Sequence, residues 1–413
     1  MRIVVQKFGG TSLATQEKRL AAARHIEEQL AQGFCAVVVV SAMGRKGDPY
    51  ATDTLLSLAD GLSLGTREMD LLLSCGEIIS AVVMAALMTS RGHRAIVLTG
   101  GQAGIYTDRQ FGQAQIVRVE PDRILRELDA GHLVIVPGFQ GKTWDGEITT
   151  LGRGGSDTSA VALGVALGAE WVDIFTDVDG IMSADPRLVA EARLLDVVTY
   201  EEMAALSRHG AKVIHPQAVE MAMQGGIPVR VRATGSSHLG TLITHPGDKD
   251  PWTHHNRPVT GIAHQPGLTQ IKVSGDGLTY AQQHQMHVQV FKAMADNRIS
   301  VDFINVSPNR IVYTVASDKA KQAVELIRRL GYDVELTPGC AKVSAVGSGM
   351  TGRPGVMAAI VEALTAEEIQ ILQTADSYTT IWLLVKETDM TRAVRALHRK
   401  FRLNANAKEE KET

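Results

Sequence analysis

The sequence predicts an α/β protein in which an open, mostly parallel sheet with helices on both faces is followed by two smaller modules of ferredoxin-like order. Three features of the 413-residue chain carry this prediction. Short aliphatic runs alternate with longer periodic segments as far as about residue 245, apolar residues become scarce over 246–258, and the remainder contains an internal repeat. Such alternation is typical of a sheet that is covered by helices on both faces.

Six aliphatic runs predict the strands of the sheet. Each is short and nearly continuous, as expected of parallel strands that are buried on both faces. In chain order they are RIVVQKF, CAVVVVSAM, RAIVLTG, HLVIVPGF, WVDIFTDV and IPVRVRAT. The longer segments between them predict the helices that connect parallel strands.

The segment PGDKDPWTHHNRP is rich in Pro, Asp and His and predicts a linker at 246–258. We therefore expect a catalytic domain at 1–245 and two modules at 259–337 and 338–413.

The repeat becomes visible when the first module is shifted by 70 positions, since Ile299 then falls on Ile369 and Ile311 on Ile381. The second copy reads KVSAVGS, GVMAAIVEAL, EIQILQT, TTIWLLVK and MTRAVRALHRKF, which is the strand, helix, strand, strand, helix order of ferredoxin-like modules. Two copies are too few for a solenoid. They predict either a duplicated dimerisation module or a sensor of a small ligand.

Composition excludes several classes of partner. The net charge is -3, and Lys and Arg are spread along the chain, which argues against nucleic acid and membrane surfaces. The first apolar run is too short for a signal peptide, and we expect no stretch with the length of a membrane span. The sequence therefore predicts a cytoplasmic protein.

The first candidate site is VQKFGGTS (residues 5–12), where a buried strand ends at Lys7. The backbone of two glycines follows, and then a Thr-Ser pair that can cap the next helix. Backbone N–H groups at a helix start bind anions, and Lys7 adds a formal charge. The spacing fits neither a Walker A loop nor a dinucleotide-binding loop. An anion-binding loop and an ordinary strand-to-helix turn both remain open.

A second glycine-rich loop, LGRGGSD (residues 151–157), is expected to face the first. Its glycines allow close approach of the backbone, Ser156 is expected to cap the following helix, and Arg153 can bind a carboxylate or phosphate through two N–H groups. Two such loops suit a phosphoryl donor and an anionic acceptor. The simpler alternatives are a surface cation for Arg153 and a favourable first-turn charge for Asp157.

Three further motifs hold candidate residues. Glu77 lies among aliphatic residues of a predicted helix, REMDLLLSCGEIIS, and buried acids are rarely unpaired. It therefore pairs with a core lysine or accepts a hydrogen bond from a substrate ammonium. FTDVDGIMSADPR (175–187) starts at a strand end, where open α/β sheets bind ligands. In GAKVIHP (210–216), Lys212 either reaches phosphates or extends into solvent.

In this order the motifs resemble those of aspartokinases. KFGGTS, VVVSAMG, LLLSCGE, LGRGGSD, FTDVDGIMSADPR and GAKVIHP precede two ACT-like modules, and the resemblance covers nearly the whole chain. SAMGRKGDPYATD, KAMADNRISVDFIN and QTADSYTTIWLLV are most similar to the diaminopimelate-sensitive isozyme of spore-forming bacteria. The resemblance implies an amino-acid-kinase-type three-layer sandwich followed by two ACT modules. It also implies transfer of the ATP γ-phosphoryl group to the side-chain carboxylate of L-aspartate, the first step towards diaminopimelate, lysine, threonine and methionine.

The resemblance further implies a role for each motif. Lys7 would stabilise the phosphoryl group in flight, and Asp157 would hold Lys7 without removing a proton, because a carboxylate nucleophile is already ionised at pH 7. Arg153 would bind a substrate carboxylate and Glu77 the substrate ammonium. The other substrate-binding residues would be Ser41, Thr52, Gly154, Gly155 and Ser156. Those around the nucleotide would be Gly9, Gly10, Thr11, Ser12, Thr176, Asp177, Met182, Arg187 and Lys212. Mg²⁺ is expected with ATP because triphosphate chemistry needs its charge neutralised, but no protein ligand set for it is evident.

For the ACT modules, the resemblance implies a homo-oligomer joined through residues 260–403, with an amino-acid effector at that interface. meso-Diaminopimelate is the first candidate, lysine the second and lysine with threonine the third. We expect polar contacts from Gln289, placed near a helix start, and from Asn305, with Met350 nearby in SGMTGRPG. TGIAHQ, which precedes the first module, is expected to supply the last strand of the second, as in interleaved ACT pairs.

Two alternatives remain. One is a kinase of the same fold that acts on acetylglutamate, glutamate or a nucleoside monophosphate, and the other is a non-catalytic sensor of nucleotide and amino acid. The repeat argues against the first, because those relatives generally lack paired ACT modules. Intact Lys7, Glu77, Arg153 and Asp157 argue against the second.

Overall fold

The computed structural model describes residues 1–208, 210, 213–245, 258–350 and 352–404. Contacts divide the chain into two compact units. Residues 1–181, 194–207 and 212–250 form the first unit, and residues 182–193, 208–211 and 251–413 form the second. Segment 182–193, which the sequence assigns to the first domain, therefore groups with the second unit. The expected linker lies outside the described residues except for Pro258.

An eight-stranded sheet forms the centre of the first unit and contains all six predicted strands. Its order is β10-β12-β11-β9-β1-β2-β6-β3. The strands are β1 (Ile3–Phe8), β2 (Cys35–Val40), β3 (Ala95–Val97), β6 (Leu133–Pro137), β9 (Val172–Thr176), β10 (Val197–Thr199), β11 (Val229–Ala233) and β12 (Thr241–Thr244). β11 and β12 pair antiparallel, and the other pairs of this sheet are parallel.

A second sheet of this unit was not predicted from the sequence. Its order is β5-β4-β7-β8. Its strands are β4 (Ile105–Thr107), β5 (Ile116–Val119), β7 (Gln140–Lys142) and β8 (Ile148–Thr150). Strands of three or four residues are too short to show a clear apolar period. The sheet matters for function because β8 leads directly into the glycine-rich loop at 151–157.

The helices pack on both faces of the eight-stranded sheet. They are α1 (Gly10–Leu13), α2 (Gln16–Ala31), α3 (Thr52–Ser57), α4 (Thr66–Ser90), α5 (Asp122–Asp129), α6 (Gly155–Leu167), α7 (Tyr200–Arg208) and α8 (Pro216–Gly225). Along β1, Val4 packs with residues of α2 and α4, whereas Val5 faces Gly164 of α6. Successive side chains of a strand point to opposite faces, so this alternation makes three layers.

Helix α4 corrects one expectation. By length and composition its 25 residues could cross a membrane, so the expectation that no stretch has the length of a membrane span is wrong. A single helix of this kind is weak evidence for a span. Its polar residues Asp70, Ser74, Glu77 and Ser80 are buried within the unit, as in a helix of a folded domain.

The second unit contains one six-stranded sheet shared by both predicted modules, in the order β14-β15-β13-β16-β18-β17. Its strands are β13 (Gly261–Ser274), β14 (Asp302–Ser307), β15 (Arg310–Ala316), β16 (Asp333–Val346), β17 (Gln373–Asp376) and β18 (Thr380–Lys386). Its helices are α9 (Tyr280–Asp296), α10 (Ala320–Arg329), α11 (Val356–Thr365) and α12 (Met390–Lys400).

The internal repeat is confirmed. β15 and β18 begin at 310 and 380, and α10 and α12 begin at 320 and 390, which is the predicted shift. The modules are also interleaved as expected. Gly261–Gln265 pairs with Lys342–Val346 and so supplies a strand to the second module. β17 is shorter than the run EIQILQT and begins only at Gln373.

Candidate active site

A cavity of about 730 Å³ in the first unit brings together the residues that the sequence assigned to phosphoryl transfer and to substrate binding. The predicted residues that line it are Lys7, Ser41, Thr52, Glu77, Arg153, Gly154, Gly155, Ser156 and Asp157. They come from the ends of β1 and β2, the starts of α3 and α6, and the middle of α4. The carboxyl ends of neighbouring parallel strands meet at one edge of a sheet, where ligands bind in open α/β folds.

Lys7 and Asp157 form an ion pair in this cavity. Lys7 Nζ lies 2.8 Å from Asp157 Oδ1, and the two side chains are 11% and 12% exposed. Lys7 is the penultimate residue of β1, and Asp157 lies in the first turn of α6. The backbone N–H of His215 donates to Asp157 Oδ2 over 3.4 Å. The carboxylate is therefore held from two sides and fixes the direction of the ammonium group.

Glu77 places a buried carboxyl group in the cavity wall. It is 2% exposed, and its Oε1 accepts a hydrogen bond from the N–H of Ala42, 3.2 Å away, just after β2. Its Oε2 has no hydrogen-bond partner among the described residues. Burial raises the pKa of the Glu77 carboxyl to about 8, although the Ala42 hydrogen bond opposes this. Such a group suits a ligand that brings its own positive charge.

The loop that carries Arg153 depends on glycine. Gly152 and Gly154, which flank Arg153, have φ of 72° and 71°. A Cβ at Gly154 would lie 2.3 Å from Cγ of His215, so a larger residue does not fit. Arg153 is exposed and forms no ion pair with another described residue. Its guanidinium is therefore available to an anionic ligand.

Two capping expectations were wrong. Gly154 is the N-cap of α6 and provides no side-chain hydrogen bond, and Ser156 lies inside the first turn instead. At the other loop, α1 begins at Gly10, and it is Thr15 that caps α2 by accepting a hydrogen bond from the N–H of Lys18. Ser12 is buried, and its hydroxyl accepts from Thr234 Oγ1 at 2.7 Å.

The two glycines after β1 have different partners. The N–H of Gly9 donates to the carbonyl of Phe175 in β9, 3.2 Å away, so it is already engaged. A Cβ at Gly10 would lie 2.3 Å from the carbonyl oxygen of Ala42, so glycine is required there by close packing. The N–H of Gly9 is therefore not free to donate to a phosphate, and Gly10 lies in the first turn of α1.

The nucleotide-binding candidates lie in different places. Thr176 ends β9 beside β1, and Asp177 follows it, paired with Arg45 over 2.7 Å. Neither lines the cavity. Met182 and Arg187 belong to the second unit, where Arg187 Nη2 lies 2.7 Å from Asp185 Oδ2. Lys212 lies outside the described residues.

Part of the cavity wall consists of residues that were not predicted from the sequence. The additional lining residues are Asp53, Gly112, Gln113, Ala114, Gln115, Phe139, Leu151, Gly152, His215 and Gln217. Residues 112–115 belong to the loop between β4 and β5, in the sheet that was not predicted. His215 lies in GAKVIHP, where only the lysine was singled out. Its Nδ1 is buried without a partner among the described residues.

The three effector-site candidates lie in different places in the second unit. Met350 borders a cavity of about 600 Å³. The other lining residues are Gly352, Met357, Thr374, Ala375, Asp376, Ser377, Tyr378 and Ile381. Gln289 lies in the middle of α9, which begins at Tyr280, and it accepts a hydrogen bond from the Tyr332 hydroxyl at 2.6 Å. The expectation that Gln289 lies near a helix start is therefore wrong. Asn305 is exposed in β14.

The described part of the chain holds no group of three or more His, Cys, Asp or Glu residues arranged to bind a metal.

Comparison with known proteins is consistent with this site. Residues 2–233 match the sequence model of the amino acid kinase family, and residues 335–399 match that of the ACT domain. Aspartokinase 1 of Bacillus subtilis is 52% identical over 407 residues, which cover 98% of this chain and 100% of that protein.

Two solved structures of E. coli aspartokinase III also match. The complex with aspartate and ADP, in the R-state, gives a TM-score of 0.77 at 26% identity and covers 97% of this chain and 99% of that chain. The T-state complex with lysine and aspartate gives 0.76 at 27% identity, with the same coverage. The predicted fold class, an amino-acid-kinase sheet followed by ACT modules, is confirmed.

Proposed function

The chain belongs to the aspartokinase family, and we propose that its cavity transfers the γ-phosphoryl group of ATP to the side-chain carboxylate of L-aspartate, giving 4-phospho-L-aspartate. The protein is accordingly an ATP-dependent phosphotransferase of amino-acid biosynthesis, with a carboxylate acceptor. ATP as a substrate fits the cytoplasmic location that the sequence predicts.

One observation carries the choice of acceptor. Glu77 and Arg153 place in the same cavity as Lys7 a carboxyl oxygen and a guanidinium that have no partner among the described residues. A free α-amino acid brings an ammonium and a carboxylate that match these two groups. Acetylglutamate, whose nitrogen is acylated, would leave the Glu77 carboxyl buried without a cation. The pair therefore favours a free amino acid over its acetylated analogue.

The chemistry needs no general base. The side-chain carboxylate of aspartate is ionised near neutral pH and attacks the γ-phosphorus directly. Lys7 would face the phosphoryl oxygens, where negative charge is held through the transition state. Asp157 would act by fixing the Lys7 ammonium, which it contacts over 2.8 Å. Positioning and charge stabilisation would supply the catalysis.

The nucleotide is proposed to bind at the same edge of the sheet. Thr176 and Asp177 follow β9, whose neighbour β1 carries Lys7. Mg²⁺, bound through the phosphates, would neutralise part of their charge. For Met182, Arg187 and Lys212, a role at the nucleotide is supported by the family motif alone.

The cavity beside Met350 is proposed to bind the amino-acid effector. It is bordered by the side chains of Met350, Met357 and Ile381 and by a carboxylate, Asp376, that can accept an ammonium group. meso-Diaminopimelate is the first candidate, lysine the second and lysine with threonine the third. Lysine has support from the E. coli enzyme whose T-state complex contains it.

A homo-oligomer through the ACT modules is supported by the edge of their sheet. β14 is an edge strand, and its Ile304 and Val306 are 49% and 48% exposed. Edge strands with exposed apolar side chains tend to pair with another chain. A second copy of this chain is the proposed partner.

The proposal is tested by measuring ADP release with L-aspartate, L-glutamate and acetylglutamate in parallel. We expect L-aspartate to give the highest kcat/KM and acetylglutamate to give almost no turnover. Preference for acetylglutamate would refute the proposed role of Glu77. Absence of turnover with every acceptor would favour the sensor alternative.

A further inference from the structure

A second acid on α4 has a different environment from Glu77. Asp70 is 0% exposed, and both of its carboxylate oxygens accept hydrogen bonds. Its Oδ2 accepts from the N–H of Thr150 at 2.8 Å and from the N–H of Gly112 at 3.0 Å. Its Oδ1 accepts from the Thr150 hydroxyl at 2.7 Å. The described residues provide it with three neutral donors and no cation.

These three bonds hold two walls of the cavity. Thr150 is the last residue of β8 and stands directly before the loop that carries Arg153. Gly112 begins the stretch 112–115, which lines the cavity. The N–H of Ala114 donates to the carbonyl of Thr150 at 2.9 Å, so the two segments are also bonded to each other. Asp70 thus fixes both segments to α4.

The same helix carries Glu77. Glu77 lies seven positions after Asp70, which is about two helical turns or roughly 10 Å along the axis. Residues at this spacing lie on the same side of a helix. α4 therefore connects the group proposed to bind the substrate ammonium with the loop proposed to bind a substrate carboxylate.

We propose that Asp70 is a positioning residue that sets the distance between Glu77 and the Arg153 loop, and through it the affinity for L-aspartate. This inference rests on the proposed function, because it takes Glu77 and Arg153 as the contacts of the amino acid. An uncharged side chain without an acceptor at this position leaves the N–H groups of Thr150 and Gly112 without this partner. Thr150 is buried, and an unpaired buried donor destabilises a local conformation.

The conservative variant Asp70→Asn distinguishes a positioning role of Asp70 from a role of its negative charge. In Asp70→Asn, the amide oxygen can take the place of Oδ2 and accept both N–H groups. The amide nitrogen then donates to the Thr150 hydroxyl, which can also act as an acceptor. Asp70→Ala provides no acceptor at all. If Asp70 acts by positioning, Asp70→Asn should keep most of the affinity for aspartate that Asp70→Ala loses.

A matched control is available elsewhere in the unit. Asp173, near the start of β9, is also 0% exposed and accepts from Arg230 Nε at 2.7 Å and Trp171 Nε1 at 3.1 Å. It does not line the cavity. Asp173→Ala therefore reports the loss of stability that follows when a buried carboxylate is removed from this unit without any effect on the cavity wall.

The test measures kcat, the KM of aspartate, the KM of ATP and Tm for the full-length variants. For Asp70→Ala we expect the KM of aspartate to rise by about tenfold or more, with the KM of ATP within about twofold of wild type. In Asp70→Asn, the KM of aspartate and the KM of ATP should both remain within about threefold of wild type. Thr150→Val, which loses one donor, should raise the KM of aspartate by about threefold. Asp173→Ala should lower Tm and leave the KM of aspartate unchanged.

A KM of aspartate that is unchanged in Asp70→Ala while Tm falls as in Asp173→Ala would overturn the inference. Should Asp70→Ala fail to fold, an unchanged KM in Thr150→Val would overturn it equally. Hydrogen exchange tests the positioning role of Asp70 independently of the proposed function. The segments around Gly112 and Thr150 should exchange faster in Asp70→Ala and Thr150→Val, but not in Asp70→Asn, whatever substrate the enzyme uses. A wild-type protein that is inactive on L-aspartate would refute the function and leave the exchange result intact.

Discussion

Lys7 Nζ lies 2.8 Å from Asp157 Oδ1, in a cavity where both side chains are nearly buried. The pair joins the end of β1 to the first turn of α6 and gives the ammonium group a fixed direction. We expect Lys7→Ala to lower kcat by about 100- to 1000-fold, because a charge aimed at the transferring group acts mainly in the transition state. ATP binding, measured by calorimetry, should change far less. Near-normal turnover in this variant would remove Lys7 from the mechanism.

Asp157 should act only through Lys7. Asp157→Asn keeps the shape of the side chain but removes its charge, so kcat should fall because the ammonium is less firmly held. The double variant with Lys7→Ala should be no slower than Lys7→Ala alone, since residues that act as one unit are not additive. Steady-state kinetics of the two single variants and the double variant test this. A multiplicative loss would show that Asp157 has a separate role.

Glu77 and Arg153 should affect the use of the acceptor, L-aspartate, and not the binding of the nucleotide. Glu77→Ala and Arg153→Ala are expected to lower kcat/KM for aspartate while leaving the KM of ATP within about twofold of wild type. Arg118→Ala is a suitable control, because Arg118 is an exposed arginine that pairs with Glu120 and does not line the cavity. A collapse of nucleotide affinity would mean that Glu77 and Arg153 contact the nucleotide and not the acceptor.

Burial raises the pKa of the Glu77 carboxyl to about 8, which predicts a pH dependence of substrate binding. Below that pH the empty site is neutral, and binding of the substrate ammonium requires loss of the proton. The KM of aspartate should therefore fall as pH rises towards 8, by up to about tenfold per pH unit. Glu77→Gln should abolish this dependence, and a wild-type KM that is flat between pH 6 and 8 would contradict the prediction.

The same carboxyl should affect stability with the opposite trend. Its pKa in the folded protein lies above its ordinary value of 4.5, so its stabilising contribution is complete below pH 4.5 and is lost as pH rises through 8. Without ligand, wild type should lose stability relative to Glu77→Gln between these pH values. Thermal melts of both proteins across the range measure the difference. A constant difference in Tm would show that Glu77 does not titrate in this window.

Effector inhibition should depend on the cavity beside Met350. An effector can shift activity only if it binds the inactive arrangement better, and a coupling of about 1–3 kcal/mol gives roughly 5- to 150-fold inhibition. meso-Diaminopimelate, lysine and lysine with threonine are to be titrated at sub-saturating aspartate. Asp376→Asn should weaken inhibition, whereas Asp333→Asn, outside the cavity, should not. Inhibition by lysine with threonine and no response to diaminopimelate would overturn the isozyme assignment but not the assignment as an aspartate kinase.

The sequence by itself predicted six of the eight strands of the main sheet, the repeat and nine of the residues that line the cavity. Parallel strands that are buried on both faces need continuous aliphatic residues, so runs such as CAVVVVSAM predicted strands directly. The repeat was visible because both modules use the same apolar positions. Lys7, Glu77, Arg153 and Asp157 stood out because charged residues beside glycines or within apolar helices are unusual unless they bind something.

Only the tertiary structure decided how these residues are held. Asp70 meets Gly112 and Thr150 across 42 and 80 positions of the chain, and the sheet that carries them consists of strands too short to show a period. Contacts between residues that are distant in the chain also explain the expectations that were wrong. The N–H of Gly9 is taken by Phe175 of β9, Ser12 is bonded to Thr234 instead of capping a helix, and segment 182–193 groups with the second unit. Each of these depends on a partner distant in the chain, and a local pattern does not contain that information.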